Sequence, residues 1–501
     1  MDADLDASSS EDSGISAYAA AHAWAENWAQ RWFLDPAGQD AFRGLGVDGG
    51  WATHVDAFER LLKFALQALA VSDAAVSRSL LSALKARGLD RTLRGAGLRI
   101  LMGRPAAPTP APVALIVETP TPSMFEPPAR IAHALGRDAS IAVADPRVYR
   151  RFRKGGFHPH ALVVDRHTQR NLLRRGRALV ETAWRSLIEA NAPMPLAGLD
   201  RGRDAREALR TLTTASMPWL MPEREAVSRF LAAVGAHTVA VASDQHRIGR
   251  VATAVAHDHS ARVVVLQHGL PQNRVGFLPV VADSVAAWSD ASRAWYVAYG
   301  TPSERIEVLG NPRLDPSVPE SVDVPRLAAT TRLLVPLSPT DVEINTRLIS
   351  AVLDAAQQLP DAAIAIKLHP GDGQWSFVRD IVGRHAMRDR VRIYRRQPLR
   401  PLLEWATGTV LHRSTVVLES LAAGTPVIVW SHSTSGDSAS ADLAGLPIPV
   451  VADVPGLVAA VHGLGATETN RAALERLVGP LDGGSAARIG QYLLEPPPEG
   501  R

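Results

Sequence analysis

From residue 113 onward, short continuous apolar runs alternate with amphipathic helical stretches. This alternation restricts the fold more than any other feature of the chain. The runs are Val113–Val117, Ile141–Ala144, Ala161–Val164, Thr238–Ala242, Arg262–Leu266 and Ser284–Trp288. They are unbroken rather than alternating polar and apolar, as strands buried on both faces of a parallel sheet must be. Helical stretches such as Gln169–Ala190 and Glu223–Val234 lie between them. A second series follows: Arg332–Leu337, Ala363–Leu368, Val391–Tyr394, Thr409–Leu411 and Val427–Trp430. A helix is expected over Thr340–Gln358, with Thr340 and Glu343 in capping-box register. Another runs from about Thr415 to Ala423, ended by Gly424 and Pro426. Repeated strand-helix units imply right-handed parallel sheets with helices on both faces.

The expected fold class is therefore α/β, with two doubly wound Rossmann-like domains and a helical N-terminal region. Residues 1–14 are acidic and Ser-rich and read as a disordered tail. Residues 15–104 are rich in Ala and Leu, and prolines at 105, 108, 110 and 112 form a stiff linker. The first α/β domain is expected over 112–318, the acceptor side, and the second over 328–495, the nucleotide-donor side. Pro316, Pro319 and Pro325 flank the join, and Gly310-Asn311-Pro312-Arg313-Leu314-Asp315 reads as a turn closing the first domain. Two such domains are expected to bind ligand at the carboxyl ends of their strands.

Composition narrows the function. The 501 residues carry a formal net charge of only +3, which gives no footprint for nucleic acid. Cysteine is absent, which excludes disulfides and Cys-ligated metals. The acidic N-terminus does not read as a secretory signal, and no apolar run reaches membrane-spanning length. A cytoplasmic protein is the expectation, with peripheral contact at the inner membrane face as an extension of it. Only Lys63, Lys85, Lys154 and Lys367 are lysine among 54 basic residues, so Lys367 at a strand end stands out.

Four strand-end loops carry chemistry-bearing residues. Gln267-His268-Gly269-Leu270-Pro271 follows one strand and places an imidazole, the side chain best suited to general-base work, before a tight turn. A histidine hydrogen-bonded within the turn is the alternative. Lys367-Leu368-His369-Pro370-Gly371-Asp372-Gly373 offers a cation and an imidazole on one side of an extended segment, a phosphate clamp or a structural turn. In His412-Arg413-Ser414-Thr415, hydroxyls and free backbone N–H groups meet at a helix N-terminus, which favours phosphate; plain N-capping is the alternative. Glu419 lies on the same helix face as Thr415, where it can accept from ribose hydroxyls. Ser338 and Thr340, in the first loop of the second domain, are weaker phosphate candidates that capping alone explains. Asp244 and His246, after Thr238–Ala242, stand in reserve on the acceptor side together with Gln267. P-loop, HExxH and GxSxG motifs are missing, no GxGxxG follows a strand, and the second domain lacks a paired Asp-x-Asp. No metal site or cofactor is expected.

Taken together and in this order, the loops resemble those of bacterial GT-B enzymes of surface polysaccharide assembly. His268–Pro271 is similar to the His-Gly-x-Pro loop of CDP-glycerol glycerophosphotransferases of teichoic acid synthesis. His369-Pro370 is similar to the His-Pro motif of CMP-sugar-using sialyltransferases and related capsule transferases. Ser414–Val429 resembles the donor-site helix shared by many GT-B transferases. The resemblance spans about residues 235–465 and implies a metal-independent glycosyltransferase. It would use a CMP-, CDP- or UDP-linked sugar donor and a glycan or lipid-linked acceptor, without nucleic acid. It assigns His268 as the base on the acceptor hydroxyl. His369, Ser414 and Thr415 become donor-phosphate contacts, with Lys367 and Arg413 beside them, and Glu419 the acid on ribose or sugar hydroxyls. A CDP-polyol glycerophosphotransferase, a sugar-nucleotide epimerase and a non-catalytic binding protein of the same fold are the competing readings.

Two further patterns carry expectations. Trp24, Trp28 and Trp32 recur at helical spacing without basic neighbours, so a core or subunit-contact stripe is expected rather than a membrane-surface one. Arg147, Arg150, Arg151, Arg153 and Lys154, echoed by Arg170, Arg174, Arg175 and Arg177, read as solvated helix faces. Docking on anionic lipid or a polyanionic acceptor is the alternative.

Overall fold

The computed structural model describes residues 20–35, 37–69, 94–101, 107–190, 193–271, 274–316, 329–337, 342–359, 361–369, 375–395, 397–412, 414, 416–431, 446, 448–464 and 470–496. It is an α/β protein of two doubly wound Rossmann-like units. The first unit comprises residues 1–287, 295–307 and 487–501, and the second 288–294 and 308–486.

The first unit holds strands β1 (Val113–Val117), β2 (Ala139–Val143), β3 (His160–Ala161), β6 (Thr238–Val241), β7 (Arg262–Leu266), β8 (Ser284–Ala287) and all but the last residue of β9 (Ile306–Val308). A small antiparallel hairpin, β4 (Pro195–Leu196) with β5 (Leu199–Asp200), lies apart from this sheet. The sheet order is β3-β2-β1-β6-β7-β8-β9, parallel from β3 through β8. Every side chain of β1, β6 and β8 is buried, the physical basis of the unbroken apolar runs. The order reverses between β1 and β6, which is where such sheets open a crevice at the strands' carboxyl ends.

The N-terminal helices belong to this unit. The helix over residues 20–29 buries Trp24, Trp32 is fully buried beyond it, and Trp28 packs against the same core. The tryptophan stripe is thus core. Trp24 Nε1 donates to the carbonyl of Pro195 at 2.8 Å. Helix His54–Ala68 lays Ala57, Leu61 and Ala65 into the same apolar cluster. Arg99, on the helix over 94–101, donates to the carbonyl of Val164 at 2.8 Å.

The second unit has strands β10 (Thr331–Pro336), β11 (Ala362–Lys367), β12 (Val391–Tyr394), β13 (Gly408–Leu411), β14 (Val427–Trp430) and β15 (Val450–Val451). They form one sheet of order β12-β11-β10-β13-β14-β15, parallel throughout. Its reversal lies between β10 and β13. Leu333, Val335, Ile364, Ile366, Val410 and Ile428 fill its interior against helix Val342–Gln357.

Two expectations shift. The strand expected over Ala161–Val164 is only His160–Ala161, because Asp165 then accepts from the Thr168 backbone and hydroxyl and opens helix Arg166–Ala190. The Gly310–Asp315 turn packs in the second unit rather than closing the first domain. There Asp315 accepts from the backbone N–H groups of Ser485 and Ala486 at 3.2 and 2.7 Å.

Candidate functional site

In the first unit, the loop after β6 is a rigid hydrogen-bonded knot. Asp244 is 1% exposed, and its carboxylate accepts from the backbone N–H groups of Val281 and Ala282 at 2.7 and 2.9 Å. Its other oxygen takes the Gln245 amide at 3.0 Å. Ser243 Oγ lies 2.9 Å from His246 Nδ1 and accepts from the backbone of Gln245. Asp244 thereby anchors the loop, and His246 is oriented by it. Gly249, in the first turn of helix Arg247–Asp258, makes the geometry reachable: a Cβ there would sit 1.7 Å from the Ser243 carbonyl oxygen.

His268 follows β7. Its ring stacks on Phe277 with centroids 4.6 Å apart and planes 6° from parallel, and the His246 ring meets it edge-on at 5.9 Å. Burial pushes His268 down to about 3, with the neighbouring His246 adding to the effect and a hydrogen bond to the Ala242 carbonyl opposing it. Burial lowers His246 as well. Both imidazoles are neutral at pH 7, and a neutral ring that donates through one nitrogen accepts through the other. Gln267 is buried and donates its amide to the Gly269 carbonyl at 2.9 Å, shaping the turn rather than facing outward.

In the second unit, Lys367 ends β11 and is 7% exposed. Its ammonium donates to the carbonyls of Leu368 and Arg395 at 2.6 and 3.2 Å, and burial lowers it to about 8. The cation that stood out in the sequence therefore ties the end of β11 to the segment after β12. His369 follows at the strand's carboxyl end and is half-buried. After β13, His412 Nδ1 lies 2.8 Å from the Trp430 carbonyl, and Ser414 Oγ accepts from the Val416 backbone at 3.3 Å. Val416 is the first residue of helix Val416–Ala422, so Ser414 satisfies one backbone N–H at the start of that helix. Ser338, Thr340, Arg413 and Thr415 lie outside the described residues.

Glu419, in the first turn of that helix, forms an ion pair with Arg313 of the Gly310–Asp315 turn; the two side chains are 14% and 11% exposed. Asn311 accepts from the Arg313 backbone at 3.1 Å and fixes the start of this turn. Nothing in the spacing of the sequence links positions 313 and 419. The visible signal was the turn's density of Gly, Asn, Pro and Asp.

Glu118, at the end of β1, is a further residue that the strand pattern did not single out. It accepts from the Ile248 backbone at 3.2 Å, and burial together with the nearby Glu223 raises it to about 7. Among the described residues, no group of three or more His, Asp or Glu is placed to hold a metal ion, and no helix is long and apolar enough to cross a membrane. The basic helix Pro146–Lys154 is partly engaged internally. Arg147 pairs with Asp145 at 2.8 Å, and Arg151 lies 3.7 Å over Phe125 and donates to the Pro120 carbonyl.

No protein-family profile matches the chain, and no curated protein sequence matches it. Solved structures do. A UDP-N-acetylglucosamine 2-epimerase superposes with a TM-score of 0.50 at 13% identity, covering 77% of this chain and 96% of the other. UDP-GlcNAc 2-epimerase from Methanocaldococcus jannaschii gives 0.49 at 14% identity, covering 76% and 99%. The lipopolysaccharide outer core galactosyltransferase WaaB, in its apo form, gives 0.42 at 12%, covering 76% and 99%. At such identities the likeness to the first of these is one of fold, and together with the two reversing parallel sheets it identifies the architecture as GT-B.

Proposed function

We propose that the chain is a glycosyltransferase that moves a sugar from a nucleotide-activated donor to a surface or capsular polysaccharide acceptor, glycan or lipid-linked, without a metal. The observation that carries this reading is the second sheet's reversal between β10 and β13, with Glu419 held by Arg313 in the first turn of the helix that follows β13. Open α/β sheets bind nucleotides at such a reversal. A carboxylate fixed there can accept from ribose or donor-sugar hydroxyls, and His369, after β11 at the carboxyl end of the same sheet, serves in this reading as a donor-phosphate contact. Lys367 acts by positioning that strand end. Ser338, Thr340, Arg413, Ser414 and Thr415 complete the phosphate set in this reading.

The reaction joins an acceptor hydroxyl oxygen to the anomeric carbon and breaks that carbon's bond to the nucleotide's phosphate oxygen, whose electron pair leaves with the nucleotide. The hydroxyl proton passes to the acceptor nitrogen of neutral His268. Because burial makes His268 a weak base, the proton moves late, when bond formation has already made it acidic. Asp244 and Gln267 hold the loops that place His246 and His268. The reading sets the enzyme in the cytoplasm, at the inner membrane face when its acceptor is lipid-linked.

The experiment is a product assay with CMP-, CDP- and UDP-sugars, with and without a bacterial surface-glycan acceptor. Acceptor-dependent release of nucleotide with sugar incorporated into the glycan is the expected result. Conversion of the donor to its epimer without acceptor would replace this reading with the epimerase. Incorporation of a polyol phosphate would point to the glycerophosphotransferase.

A further inference from the structure

A cavity of about 250 Å³ lies in the first unit, at the carboxyl ends of β1 and β6 where the sheet order reverses. Its floor includes Glu118, His246 and Arg247. Its cover comes from the N-terminal helical region: Ala52, Val55 and Asp56 on one side, Arg94 and Leu98 on another. This region lies outside the part of the chain on which the polysaccharide-transferase resemblance rests, and the fold does not require it to complete the sheet. Arg99 fastens one of these helices to the Val164 carbonyl, so the cover is a built part of the unit.

Arg247 supplies the decisive observation. Its guanidinium is buried, at 6% exposure, and its Nε donates to Glu223 at 2.7 Å. Both terminal nitrogens are buried and have no hydrogen-bond partner among the described residues. A buried guanidinium with unmet donors carries a substantial desolvation cost, which a bound acceptor would relieve. The charges around it exclude a strongly anionic occupant: Glu223 already partners Arg247, and Glu118 and Asp56 share the wall. What satisfies a donor fork on one side and carboxyl acceptors on the other is a group that both accepts and donates, namely vicinal hydroxyls. Leu98, Leu162 and the Trp219 ring line the remainder with apolar surface, suited to the C–H faces of a ring. The volume falls below the roughly 300–1,000 Å³ of pockets that enclose drug-sized ligands. It is too small for a nucleotide-sugar and sufficient for one sugar ring.

We infer that this cavity binds a neutral polyhydroxylated ring, a single hexose unit, between the Arg247 fork and the Glu118 carboxyl, and that the N-terminal helices exist to close it. In the transferase reading this ring is the acceptor's terminal sugar, since His246 lines the cavity and meets His268 edge-on at 5.9 Å. Only that assignment rests on the transferase reading; the binding does not. The near-neutral titration of Glu118 suits a group that exchanges hydrogen bonds with hydroxyls.

The test is saturation-transfer NMR and calorimetry on the full chain with galactose, glucose, N-acetylglucosamine, glycerol and inorganic phosphate as probes. At least one hexose should bind, and more tightly than glycerol or phosphate. Arg247→Lys keeps a cation beside Glu223 but withdraws the fork, and should weaken that hexose about ten- to a hundredfold. Val55→Trp, which fills the cavity from its half-buried edge, should abolish binding; it serves as the readout if Arg247→Lys does not fold. Absence of binding by every hexose, preference for phosphate, or unchanged affinity in the folded variants would overturn the inference. CMP, CDP and UDP titrated into the same samples separate the two proposals. Lost hexose binding with intact nucleotide binding leaves the donor-site reading standing, and hexose binding without nucleotide binding does the reverse.

Discussion

A histidine with an ordinary value near 6.5 loses its basic form as pH falls through 6. His268, half-buried and stacked on Phe277 beside His246, is pushed down to about 3 by desolvation and stays neutral well below that range. Its contribution to turnover is therefore expected to be flat from pH 7 down to 5. A decline in kcat centred near 6.5 that disappears in His268→Ala would contradict this environment. His268→Ala itself should lower turnover by about 10² to 10⁴, the range for losing a general base, with donor affinity retained. Glu419 requires a different design. One partner of the largely buried Arg313–Glu419 ion pair cannot be removed without stranding the other. Glu419→Gln and Arg313→Gln should both lower the melting temperature, by roughly 1–3 kcal/mol in stability. If Glu419 reads donor hydroxyls, its exchange should raise the donor's Michaelis constant well beyond the effect of Arg313→Gln. Equal effects on the donor would reduce Glu419 to a structural partner.

At the scale of elements, the loop after β6 and the helix it opens form one packed unit. Gly249→Ala would drive a Cβ into the Ser243 carbonyl. Because the atoms that the Cβ meets are backbone, relief requires shifting the helix or the loop. A destabilisation of about 1–3 kcal/mol or more is expected, read as a drop in melting temperature; an unchanged transition would show that the helix is not seated there. The elements were the most legible part of the sequence. Both parallel sheets follow from unbroken apolar runs at β1, β6, β7, β10, β11 and β14, because strands buried on both faces leave no alternating pattern to confuse with helix. The short edge strands were less legible. β3 and β15 each have two residues, too few to carry a period. The side chains facing the strand ends were legible as types and not as partners. His268 and His369 announce themselves beside Gly and Pro, whereas the Arg313–Glu419 pair joins residues 106 positions apart. The fork of Arg247 lies in an ordinary amphipathic helix, and only packing leaves it unpartnered.

For the whole molecule, stability should carry the signature of the half-buried Glu118. Its carboxyl is raised from 4.5 to about 7 on folding, so the folded state favours the protonated form. The associated stability is fully present below pH 4.5 and is lost as pH rises through 7. Glu118→Gln removes this dependence. The variant should gain on the wild type as pH rises from 5 to 8, by on the order of 3 kcal/mol at most. A constant difference in melting temperature across that range would mean that the carboxyl is solvated. The central claim concerns the donor, and a thermal-shift titration of the intact chain with CMP, CDP, UDP and GDP tests it most directly. One nucleotide should stabilise the protein, by roughly 2.7 kcal/mol at a hundred times its dissociation constant, and His369→Ala should weaken that response. No response to any of the four nucleotides, or an undiminished one in His369→Ala, would contradict the account.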